Sequence, residues 1–69
     1  MSIAYEPAIR RGQKIIIEDG FYTIEGTVIR DVDDTSDMIY VMEEQYDNAV
    51  MKVRGDLAVS IIVDGVELL

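Results

Sequence analysis

Arg54-Gly55-Asp56 sets a guanidinium and a carboxylate on either side of a glycine, between an apolar run ending at Val53 and another beginning at Leu57. So short a connection fixes the geometry of the two flanking strands tightly and places one cation at the tip. That cation could stack on a nucleobase or hold a phosphate. It could equally pair with Asp56 and only hold the turn. A second group, Asp31, Asp33, Asp34 and Asp37, clusters oxygens of the kind that hard divalent cations favour. It lacks the glycine and the closing glutamate of a calcium loop, so a solvated acidic loop is the default and no metal site is assigned. Arg10, Arg11 and Lys14 could form a basic rim for phosphate, or sit solvated at the negative end of a short helix. The rings are Tyr5, Phe21, Tyr22, Tyr40 and Tyr46. Base stacking needs rings exposed beside cations, and Tyr40 alone is close to the acidic loop.

Nothing here makes a catalyst. The chain has no Cys and no His, which removes the usual nucleophile–base pairs, disulfides and the common zinc sites. Its paired carboxylates lie in polar stretches, where nothing tunes them for acid–base work. No enzyme activity and no cofactor are expected. The net charge of −8 opposes nucleic acid as a whole, because phosphate binding depends on Lys and Arg displacing counterions. Any RNA site must be a local cationic spot. The hydrophobic share of 49% is too high for a disordered chain, and no segment is apolar for long enough to span a membrane. A single domain over residues 1–69, cytoplasmic and with no membrane partner, is expected. A domain this small buries only about 60% of its unfolded surface. Without disulfides or metals, oligomerisation is the natural supplement.

The elements follow from periodicity. Residues 2 to 10 hold the one plausible helix, with Ser2 as N-cap, Pro7 in the first turn and Gly12 past the end. The β-branched run Lys14 to Glu18 is a strand, and Asp19-Gly20 is a hairpin signal. Phe21 to Val32 is a long second strand. Gly26 marks a bend or a close approach, while Ile29 and Arg30 break the alternation. Met38 to Met42, Asn48 to Val53 and Leu57 to Val63 are the third, fourth and fifth strands, and Asp64-Gly65 turns the chain into an apolar tail of Val66, Leu68 and Leu69. The fifth strand is apolar on both faces, which predicts burial of the second face against another molecule. The fold class is all-β: a short N-terminal helix followed by a five-stranded, strongly bent antiparallel barrel.

This order resembles the Sm-like family, whose barrel is SH3-like. Gly20 to Val28 followed by Asp31, Asp34 and Met38 is similar to the family's first motif. Val53-Arg54-Gly55-Asp56-Leu57-Ala58-Val59-Ser60-Ile61 is similar to its second, and Glu6-Pro7-Ala8-Ile9 to a common start. The resemblance implies a homo-oligomeric ring, of five to seven subunits, in which strand four of one protomer pairs with strand five of the next. Leu57, Ala58, Val59, Ile61, Ile62 and Met51 would then form the interface. It also implies a non-catalytic module contacting short single-stranded RNA near the pore. Arg54, Gly55, Asp56, Met38, Ile39 and Asp37 are the candidate contacts. Ile39 stands where the family has a base-contacting Asn, and it offers neither donor nor acceptor. The alternative is a structural or protein-interaction ring that has lost RNA binding.

Overall fold

The β-branched run Lys14–Glu18 forms the strand from which the rest of the molecule is built. In the computed structural model, which describes residues 3–68, the fold is all-β. The strands are β1 (Ala4–Ile9), β2 (Lys14–Glu18), β3 (Thr23–Val28), β4 (Val32–Asp34), β5 (Met38–Glu43), β6 (Ala49–Arg54), β7 (Ser60–Val63) and β8 (Val66–Glu67), with single 3-10 turns at Glu44–Tyr46 and Gly55–Leu57. Six of them make one antiparallel sheet in the order β6-β5-β3-β2-β7-β8, and β1 and β4 form a separate ribbon. Ile15 faces Gly26 on one side and Val63 on the other, and Ile17 faces Ile24 and Ile61. Alternation therefore puts Ile15, Ile17, Ile24, Val28, Ile39, Val41, Val53, Ile61 and Val63 on one buried face. Tyr5, Ile9 and Val32 of the ribbon join that same core.

Three expectations are corrected. The N-terminal helix is absent: residues 4–9 are strand β1, paired with β4. Tyr5 and Ile9, four apart, share a buried face, and a four-residue spacing lies on one side of a helix and of a strand alike. The expected N-cap, Ser2, lies outside the described residues, as does Leu69 of the expected tail. The long second strand is in fact two. It stops at Val28, passes through Ile29-Arg30-Asp31, and resumes as β4, which leaves the large sheet to pair with β1. Finally, the described residues form eight strands and not five, and these do not close a barrel: β6 and β8 are the outer strands of an open sheet.

The fifth strand is also shorter than expected. Leu57 sits in a 3-10 turn and β7 begins only at Ser60. Ile61 and Val63 point into the core, and Ile62 is half-buried on the other face, beside Ile16. The outer edge of β7 is covered by the chain's own tail, with Ile62 opposite Glu67, Val63 opposite Val66, and the Leu68 N–H donating to the Ile61 carbonyl at 2.7 Å.

The tight turns use the chemistry their sequences announce. Asp64 and Gly65 both have positive φ, 48° and 81°, as a two-residue hairpin linking right-twisted strands requires. Asp19 accepts the N–H groups of Phe21 and Tyr22 at 2.9 and 3.1 Å. Those two bonds, the Phe21 one foremost, hold its carboxyl below the usual range. Gly26 is a close-approach glycine: a Cβ there would run into the backbone carbonyl of Met42. Gly26→Ala must push β3 away from β5, and a loss of about 2–4 kcal/mol is expected in urea unfolding. A change within about 0.5 kcal/mol would contradict this packing.

Candidate functional site

The Arg54–Asp56 corner is built by β6 ending on a 3-10 turn that the Ala58 N–H closes by donating to the Gly55 carbonyl at 3.2 Å. Arg54 spends its fork on its neighbour. Its Nε donates to Asp56 Oδ1 at 3.1 Å and its Nη2 to Oδ2 at 2.6 Å, the bidentate arrangement that matches guanidinium to carboxylate. Gly55 is buried, and a side chain there would collide with the Tyr5 hydroxyl. Met38 lies opposite Arg54 and is half-buried, and Asp37 is exposed. Ile39 does not belong to this surface. It is 0% exposed and sits opposite Val53 in the core. Neighbouring strand residues point to opposite faces, so Met38 and Ile39 cannot both meet a ligand. Gly55 contributes shape and no contacting side chain.

The other charged groups are largely occupied with one another. Arg10 Nη1 reaches Asp33 at 3.1 Å and Asp31 at 3.7 Å. Asp31 also accepts the Arg11 backbone N–H at 2.9 Å. Asp34 accepts both the hydroxyl and the N–H of Ser36, and the hydroxyl bond is the main cause of its lowered carboxyl pKa. The acidic loop is thus tied to Arg10 and Arg11. No three carboxylates among the described residues converge to hold a metal ion. Lys14 Nζ bonds Thr27 at 2.9 Å and Glu44 at 3.4 Å.

On the outer face of the sheet the remaining charges separate. Along β5 and β6, Met38 faces Arg54 and Tyr40 faces Lys52, and the Arg30 guanidinium lies over the Tyr40 ring, 4.6 Å from its centre. At the other end, a row across four strands reads Glu25, Ile16, Ile62, Glu67. The cationic platform was missed in the sequence because Arg30 and Lys52 are 22 positions apart and meet only through strand pairing. The spacing of Tyr40 and Lys52 in adjacent strands was the available signal.

The expected interface residues divide. Ile61 is core, and Ala58 packs against the core. Ile62 lies on the outer face. Leu57, Val59 and Met51 are exposed, together with Val50, Tyr22 and, at the β2–β3 turn, Phe21, which is 93% exposed.

No protein-family model matches this chain, and no curated protein and no solved structure matches it. Among the described residues no helix is long and apolar enough to cross a membrane.

Tyr5 is the unusual group of the corner. Its hydroxyl is buried without a hydrogen-bond partner. Burial, and then the charges of Asp56, Asp34 and Asp37, raise its pKa above 10.0. The phenol is therefore easier to ionise in the unfolded chain than in the fold, and stability falls as pH climbs past about 10. Tyr5→Phe should stabilise the protein by about 1 kcal/mol at neutral pH, flatten that alkaline loss, and rescue Gly55→Ala. Denaturant unfolding of the three variants at neutral and alkaline pH checks this. A Tyr5→Phe protein weaker than wild type would show that the hydroxyl has a partner after all.

Proposed function

We propose that this chain is a non-catalytic assembly module whose copies join head to tail through the two open edges of the six-stranded sheet, forming a ring of the kind the Sm-like resemblance implies. The observation that carries it is the opposite character of those edges. β6 is an unpaired edge six residues long, carrying Lys52 beside exposed Val50 and Met51. β8 carries Glu67 and exposed Val66, next to Asp64. An open edge is a template for another strand, and opposite charges fix which edge meets which. A heterologous joint of this kind closes into a ring when its rotation allows. The joint differs in one respect from the resemblance. The edge of β7, the counterpart of strand five, is taken by β8, so β8 is the strand that receives β6.

RNA binding is a second proposal, and the pair favouring it is Arg30 on Tyr40 with Lys52 alongside: a ring and cations on one exposed face are the ingredients of base stacking. It moves the RNA contact away from Gly55 and Ile39, which are buried. The net charge of −8 and the Arg54–Asp56 pair weigh against it, so assembly without RNA is the leading proposal.

Native mass spectrometry at low and high ionic strength tests both. A closed oligomer that dissociates as salt rises is expected. Lys52→Glu or Glu67→Lys alone should weaken it by about tenfold in concentration, and the double variant should restore it. A monomer at every concentration would end the assembly proposal. A labelled oligo-U bound by wild type and lost in Tyr40→Ala would put the RNA proposal first.

A further inference from the structure

A cleft of about 410 Å³ opens on the outer face of the sheet. Ile16 and Ile62 form its floor, Glu25 and Glu44 stand on its rim, and Lys14 closes one end. It exists for two local reasons. Gly26 presents no side chain where β3 lies close against β5, and the 3-10 turn at Glu44–Tyr46 borders the cleft, tied to Lys14 by the Glu44 bond. Two β-branched side chains adjacent on a solvent-facing surface are a poor choice for solubility and a good one for a partner's apolar side chain.

The charge around this floor is one-sided. Glu25 flanks Ile16, and Glu67 flanks Ile62 in the same row. The one cation, Lys14, is already engaged by Glu44 and Thr27. We infer that the cleft binds a basic, extended peptide segment of a protein partner, with one aliphatic side chain over Ile16 and Ile62 and a lysine or arginine directed to Glu25 and to Glu67. The row sets the ligand's size. Glu25 and Glu67 lie three strand spacings apart, roughly 14 Å at about 4.8 Å per spacing. An extended chain needs about four residues to span that distance, so a short peptide reaches both carboxylates and a single alkylammonium ion does not. Within the chain, Arg10 and Arg54 are committed to Asp31, Asp33 and Asp56, and Lys14 to Glu44 and Thr27.

Glu67 also serves the edge proposal, so the test keeps the two apart by using Lys52→Glu, the variant in which that proposal weakens the joint, alongside wild type, both at dilute concentration. The probe is a five-residue peptide alternating lysine and leucine, titrated into labelled protein and followed by backbone amide shifts. Its counterpart alternating glutamate and leucine is the control. Expected are shifts centred on Ile16, Glu25 and Ile62 in both proteins, and no binding of the glutamate peptide. Glu25→Gln should weaken the lysine peptide by about threefold, and Glu25→Gln with Glu67→Gln by about tenfold, with folding intact because both side chains are exposed. Equal binding of the two peptides, shifts centred instead on Phe21 and Val59, affinity unchanged in the double variant, or no binding at millimolar peptide would each overturn the inference. Loss of binding only in Lys52→Glu would instead place the site at a subunit joint, which also overturns it as stated.

Discussion

The fold depends on covering one apolar sheet face with a chain of 69 residues that has no α-helix among the described residues. Five strands present Ile15, Ile17, Ile24, Val28, Ile39, Val41, Val53, Ile61 and Val63 to one side, and that side needs a second layer. The ribbon of β1 and β4 is the layer. It can form because the chain leaves the large sheet after Val28, turns through Ile29-Arg30-Asp31 and returns across the core as β4. Thr35, itself buried, fastens the ribbon: its hydroxyl accepts the Ile3 N–H and its own N–H donates to the Ile3 carbonyl, both at 2.9 Å. The small size of the cover explains why so many apolar side chains stay at the periphery. A radius of gyration of 10.7 Å leaves little interior in which to place them.

The same shortage shapes the surface. With fourteen acidic and six basic side chains, the cations matter by position. Arg10 neutralises the acidic loop, Arg54 neutralises its own turn, and Lys14 braces Glu44. Arg30 and Lys52 gather around Tyr40, at the β6 side of the sheet. The β8 side keeps its carboxylates. The resulting charge polarity lies along the strand order, from edge to edge, and this is the property on which the functional account rests. The Arg54-Gly55-Asp56 corner, the most conspicuous chemistry in the sequence, turns out to be a packed corner: its glycine makes room for Tyr5 and its arginine faces its own aspartate.

Much of this was legible in the sequence. The strand around Ile15–Ile17, the turns at Asp19-Gly20 and Asp64-Gly65, and the strands at Met38 and Ala49 follow from β-branched composition and turn chemistry. The special role of Gly26 was also visible, as a bend or a close approach, and that the approach is to Met42 needed the pairing of β3 with β5. Ile29 and Arg30 broke the alternation, which was the mark of the strand's end. Residues 4–9 were misread because Tyr5 and Ile9 satisfy helical and extended spacing equally. The apolar fifth strand suggested a partner molecule over its second face; what the pattern did not show is that its edge is paired by the chain's own β8, a two-residue strand too short to announce itself. Ile39 entered the candidate site by alignment with a motif, and its phase relative to Val41 was the warning that it belongs to the core. The platform of Arg30, Tyr40 and Lys52 depends on non-local pairing, which no local pattern reveals.

Head-to-tail joining of the sheet edges is the central claim, and backbone hydrogen exchange measured across a dilution series tests it most directly. Half of the amides of β6 point away from β5, and in an isolated molecule they face solvent. The account predicts that these amides, with those of β8, exchange more slowly as protein concentration rises, while the amides of β2 and β3 in the centre of the sheet do not respond. Exchange at β6 and β8 that is fast and independent of concentration would contradict it.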